Sequence, residues 1–194
     1  GTFARPNAVG NTASFTPTDN VDTFRVWYTQ TATVGTVMRL NIDGGTNTDT
    51  STTGVSGTYS GPVVIGGAGA GIAPGTHSLN ITRQAGGAVN WAAVEAYDST
   101  KYQISVAMAG WPGARSTEYA QVAQLYSPGN VANYFGQDLS LLCIGINDWL
   151  GLSNPVTLLS DFKANMQVQI SKLKLAGDVV IVTPVPSRET LAPL

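Results

Sequence analysis

The chain has 194 residues, 43% of them hydrophobic, so it is long enough to bury a substantial core as one large domain or two small ones. Charged residues make up only 11%, well below the roughly 25% usual in globular proteins. With a net charge of −2 and no basic run, nucleic acid is excluded as the main partner. No apolar stretch approaches the ~20 residues that span a bilayer. The N-terminus carries no signal-peptide pattern, so an export signal is expected to have been removed or to lie upstream. Cys143 is the single cysteine, which leaves no disulfide framework and no thiol metal site. Low charge with abundant Thr, Gly and Ala fits an extracellular or virion-surface setting.

Composition changes near residue 100: 18 of the 22 threonines lie in residues 1–100. There, short alternating runs are separated by glycine turns. Phe24, Val26 and Tyr28 alternate with Thr23, Arg25 and Trp27, and Met38, Leu40 and Ile42 alternate with Arg39, Asn41 and Asp43. Asp43-Gly44-Gly45 reads as a turn and Val63-Val64-Ile65 as a further strand. His77, Leu79 and Ile81 share one face of another run, and Val89, Trp91 and Ala93 follow Gly86-Gly87. Six or more short strands at this spacing predict an antiparallel β-sandwich, jelly-roll-like, over residues 1–100.

Residues 101–194 read instead as strand, helix, strand, helix, strand. The predicted strands are Ile104–Met108, Leu141–Ile144 and Asp178–Thr183. One helix should start near Ser116, with Tyr119, Val122, Leu125 and Tyr126 on its face. The second should have Asn154 as cap and Pro155 in its first position, a face of Leu158, Leu159, Phe162, Met166, Ile170 and Leu173, and Gly177 at its end. This alternation makes a parallel sheet. Leu141–Ile144 has the continuous apolar character of a strand buried on both faces, with Cys143 as inert core. Three strands and two helices make a thin sheet, so further elements are expected at both ends.

Ligands in open parallel sheets bind where strands end at their carboxyl edge. The loops there are Ala109-Gly-Trp-Pro-Gly113, Ile146-Asn-Asp-Trp149 and Pro184-Val-Pro-Ser187. The bland reading of Asn147 and Asp148 is a strand-end turn held by their own side chains; Gly113 reads as a turn glycine. Trp111 and Trp149 flank these loops, either packed or lining a substrate pocket. His77, the only histidine, reads as a packed, hydrogen-bonded strand residue rather than a base. No serine has a nucleophile's context; Gly54-Val-Ser-Gly57 lacks the required spacing, and Ser99 and Ser116 are weak candidates. No metal or cofactor is expected.

Gly145-Ile-Asn-Asp148 resembles the third block, Gly-x-Asn-Asp, of the SGNH (GDSL-type) ester hydrolases. Ala109-Gly110-Trp-Pro-Gly113 resembles the end of the second block, Asn-x-Gly-x-x-Gly, with Met108 where asparagine is usual. Val182-Thr-Pro-Val-Pro186 is similar to the segment that follows. The resemblance covers residues 103–187 and implies a partial flavodoxin-like α/β sheet beside an accessory sandwich, which could bind carbohydrate. It implies an oxyanion hole completed by the Gly110 N–H and the Asn147 side chain, with Asp148 supporting the loop and Trp111 and Trp149 in the substrate pocket. It implies a Ser-His esterase acting on an acylated small molecule or polysaccharide. The Gly-Asp-Ser and Asp-x-x-His blocks have no counterpart in this sequence, so nucleophile and base are expected from outside residues 1–194 or from a companion chain. The alternative is a non-catalytic carbohydrate-binding or virion structural protein that keeps the sheet as scaffold; a weaker one is a segment that folds only with a partner chain.

Overall fold

The computed structural model describes residues 6–106, 113–121, 135–150 and 156–182. The chain divides into two compact units, residues 1–106 and 107–194. The described residues are mostly antiparallel β-sheet, with few helices and one small parallel sheet.

Among its described residues the first unit holds seven strands: β1 (Thr12–Phe15), β2 (Thr23–Thr29), β3 (Val37–Ile42), β4 (Thr48–Ser51), β5 (Tyr59–Gly66), β6 (Leu79–Ala85) and β7 (Asn90–Tyr97). They form one sheet in the order β1-β6-β3-β4 and another in the order β5-β2-β7, with all pairings antiparallel. Alternation decides which residues face the shared core. Phe24, Val26 and Tyr28 come from one sheet, and Met38, Leu40, Ile42, Leu79 and Ile81 from the other. Phe15 meets Phe24 edge-on at 6.4 Å, joining a strand of each sheet. Outward-facing Arg25 pairs with Glu95 on β7 at 3.3 Å and lies 4.8 Å from the Tyr97 ring centre. The β3–β4 connection turns at Asp43 (φ 52°) and Gly44 (φ 73°), the two positive φ angles that the tightest hairpin turns require.

In the second unit, α1 (Ser116–Ala120) precedes β8 (Leu139–Leu142), α2 (Ile146–Leu150), α3 (Leu159–Leu173) and β9 (Asp178–Ile181). Strands β8 and β9 pair in parallel, Leu139 with Asp178 through Leu142 with Ile181, and α3 lies between them in the chain. A parallel pair needs such a crossover. Its small core gathers Leu142, Met166 and Leu173 with Ile144, Phe162, Ile170 and Val179. Gly177 sits where a Cβ would lie 2.4 Å from the carbonyl oxygens of Gln137 and Asp138, so the entry to β9 tolerates no side chain.

Several expectations need correction. Residues 104–106 form no strand, and Ile104 and Val106 are 94% and 83% exposed; residues 107–108 lie outside the described residues. The alternation there had no ladder to join. Strand β8 runs from Leu139 to Leu142, leaving Cys143 and Ile144 beyond it, and it is not buried on both faces. Leu139 and Leu141 are 54% and 68% exposed, because only the face toward α3 is covered; Cys143 is exposed rather than core.

The long helix starts at Leu159, not at Pro155: residues 156–158 are non-helical, and the Thr157 N–H donates to the Asp148 carbonyl instead of beginning a turn. Its buried face includes Gln169, while the predicted Leu158 and Leu159 stay exposed. His77 precedes β6 rather than lying within a strand. Val122, Leu125, Tyr126, Asn154, Pro155 and the 184–187 loop lie outside the described residues.

Candidate functional site

Strand β8 ends in a turn that only glycine makes easily. Gly145 has φ 129°, and a Cβ on it would lie 3.3 Å from the Phe162 ring. The chain then winds directly into α2, where the Trp149 N–H returns to the Gly145 carbonyl at 3.1 Å. Successive residues on this short helix point in different directions, so Asn147 and Asp148 reach different partners.

Asp148 points inward and is 4% exposed. One carboxylate oxygen accepts the Ser116 hydroxyl at 2.6 Å, and the other accepts the Ser116 backbone N–H at 2.9 Å. Ser116 opens α1 and is fully buried. Asn165 on α3 donates to the Ser116 hydroxyl oxygen at 3.1 Å and to that of Thr117 at 3.4 Å. A buried carboxylate is tolerable only when such donors replace water. Asn147 donates from Nδ2 to the Ala114 carbonyl at 2.9 Å. Three hydrogen bonds thus tie the turn after β8 to Ala114 and Ser116, just beyond Gly113. The fastening also includes the Glu118 carboxylate, which reaches back to the Arg115 N–H at 2.8 Å and closes the first turn of α1.

Chemically the arrangement offers a polarised, positioned amide with no formal charge. Asn Nδ2 carries two N–H bonds, and Ala114 takes one. Gly110 and Trp111 lie outside the described residues. Trp149 is 66% exposed. Gly113 has φ 78° with open space around its missing side chain, which is turn behaviour.

The candidates for base and nucleophile are otherwise engaged. His77 Nδ1 lies 2.6 Å from an Asp43 carboxylate oxygen, and Nε2 lies 2.9 Å from the Ala73 carbonyl. Both partners only accept, so both ring nitrogens act as donors. The Asp43 hydrogen bond first, and the Ala73 one second, hold the imidazole above its ordinary 6.5. Ser99 donates its hydroxyl to Asp22 at 2.5 Å. Ser116 is drawn to Asp148, but it is buried and faces a carboxylate rather than an imidazole.

Among the described residues no group of three or more His, Cys, Asp or Glu side chains could hold a metal. The carboxylates of the β3–β4 hairpin are taken, Asp49 by Arg39 at 2.7 Å and Asp43 by His77 and the Ser78 N–H. The sequence reading missed Asn165 and the Ser116–Asp148 pairing. Their partners are 49 and 32 residues away, and no local pattern marks them.

No protein-family model matches the chain, and no curated protein matches it in sequence. Among solved structures it matches the crystal structure of a Corynascus thermopiles (Myceliophthora fergusii) carbohydrate esterase family 2 enzyme plus carbohydrate binding domain. That match has 12% identity and a TM-score of 0.33, over 98% of this chain and 77% of the other. A likeness at that TM-score does not establish a shared fold.

Proposed function

We propose that the turn from Gly145 to Trp149 supplies half of an oxyanion hole to an ester hydrolase of the SGNH type. The substrate class is an acylated small molecule or polysaccharide, with acetyl esters as one case. A serine hydroxyl would attack the ester carbonyl while a histidine takes its proton. The alcohol would leave with that proton, and water would then release the acyl group in the same way. Negative charge on the carbonyl oxygen would be met by the free N–H of Asn147 Nδ2 and by the Gly110 backbone N–H. Donors fixed before the reaction lower that barrier most, because nothing has to reorient as charge develops.

The observation that carries this reading is the fastening of Asn147 and Asp148 to residues 114–117. It ties the turn after β8 to the residues that follow Gly113 and holds the amide's direction. The base is assigned outside residues 1–194, because the one histidine has both nitrogens committed to acceptors. The nucleophile is assigned with it, to additional sequence or a companion chain. Trp149 and Trp111 would border the acyl or sugar pocket, and the sandwich could hold a glycan. An extracellular or virion-surface location belongs to the same proposal.

One observation favours a second reading, a non-catalytic binding or structural protein: the Asn147 amide already serves Ala114, as a strut would. Labelling the complete protein with a fluorophosphonate, followed by peptide mass spectrometry, separates the two. The esterase reading expects one labelled serine outside residues 1–194. A labelled serine inside them contradicts the assignment, and absence of both label and aryl-acetate hydrolysis favours the second reading.

A further inference from the structure

The segment after β5 leaves the sandwich and returns to it within a few residues. The Gly67 N–H donates to the Asp22 carbonyl at 2.8 Å at one end. At the other, Gly75 exchanges backbone hydrogen bonds with Val21 at 2.8 and 3.0 Å. Between these anchors, residues 68–71, 73 and 74 are exposed, and only Ile72 packs against the core. The bond from His77 Nε2 to the Ala73 carbonyl ties this excursion to a side chain that is itself held by the β3–β4 turn. The fit is close: a Cβ on Gly75 would lie 3.3 Å from Nε2.

We propose that His77 is a proton-operated latch, which fastens residues 67–75 to the β3–β4 turn as an imidazolium and releases them when it loses its proton. A neutral imidazole has one N–H and one lone pair. Both acceptors cannot then be served, and one ring nitrogen must turn a lone pair toward an oxygen. The bond to the Asp43 carboxylate is charge-assisted and the stronger of the two. Nδ1 keeps the proton, and the Ala73 carbonyl is let go.

The charged groups acting on the ring are anionic, Asp43 from the β3–β4 turn and, farther off, Asp22 at the start of β2; partial burial opposes them. The imidazolium's contribution is therefore full below pH 6.5 and is lost as pH rises through the folded-state midpoint above it. The excursion is closed below pH 6.5 and loosens as pH rises through the folded-state midpoint.

Nuclear magnetic resonance on this protein tests the latch through two readouts, the His77 ring titration and amide exchange corrected for base catalysis. Ala70, Gly71 and Ile72 have N–H groups bonded within the excursion, to Gly67 and Ala68, whereas Gly75 is anchored by Val21. Protection at the first three should fall about tenfold as His77 titrates, while Gly75 holds. Asn at position 43 can still accept from Ser78 and can donate to Nδ1, so neutral His77 keeps its bond to Ala73. Asp43→Asn should therefore keep the excursion protected at every pH, and His77→Gln should remove the pH dependence. A wild-type midpoint at or below 6.5, protection that stays flat through the titration, or loss in Asp43→Asn parallel to wild type would each overturn the proposal.

Discussion

The two units bury apolar surface in opposite ways. In the sandwich, both sheets turn alternate residues toward a common interior, and Phe24, Val26, Met38, Leu40 and Leu79 are fully buried. In the α/β unit, the described core centres on three residues, Leu142, Met166 and Leu173, each 7–9% exposed. Leu139, Leu141, Val180 and Val182 remain 40–68% exposed. The parallel register sets Leu141 beside Val180, so this exposed surface belongs to the sheet face opposite α3. Parallel sheets are ordinarily covered on both faces. A two-layer antiparallel unit closes its own core, whereas a βαβ unit with one helix covers half of its sheet.

Substitutions separate these situations by size of effect. Leu40→Ala removes a fully buried side chain between two sheets and should cost about 2–5 kcal/mol in urea unfolding of the sandwich. A loss under about 1 kcal/mol would mean that the interior is loosely packed. Ser116→Ala takes two roles from one position, the donor to Asp148 and the acceptor from Asn165, while the backbone bond to Asp148 stays. Leaving a buried carboxylate short of a donor should cost about 1–3 kcal/mol. Unfolding of the α/β unit, followed by amide exchange in α3, should report it while protection in the sandwich strands stays put.

Acid dependence provides a third, smaller contrast. Asp98 is nearly fully buried, and hydrogen bonds from Lys101 and then Thr100 hold its carboxyl at about 2. A depressed carboxylate contributes stability that is present above its ordinary 3.8 and lost as pH falls toward about 2. Asp98→Asn should flatten the sandwich's loss of stability across that window; an unchanged acid slope would assign it to other groups. The smallest effect belongs to Leu141→Ser, within about 0.5 kcal/mol if its face meets solvent. A penalty of several kcal/mol in the complete protein would mean that another segment or chain covers that face.

Legibility in the sequence follows the same division. Strands β3 and β6 could be read because one face is buried and the other reaches solvent, so alternation carries the information, whereas β2 buries both faces apart from Arg25. Leu141–Ile144 shows only that a strand is apolar; whether a neighbour covers it depends on the rest of the fold. Asn154-Pro155 has ordinary helix-start chemistry, yet the bond from Thr157 to Asp148 delays the helix to Leu159. Gly145, Asn147 and Asp148 stood out because a glycine and two polar residues end an apolar run. Their fastening to Ser116 and Ala114 did not, because it rests on contacts 32 and 33 residues apart.

The central claim is that the Asn147 amide is placed to meet charge that exists only in the transition state. The direct measurement is steady-state hydrolysis of an aryl acetate by the complete protein, wild type against Asn147→Ala, with kcat and KM resolved. The account predicts a fall in kcat of roughly 10²–10³ with KM little changed. A fall in kcat of less than about threefold, or a change confined to KM, would contradict it.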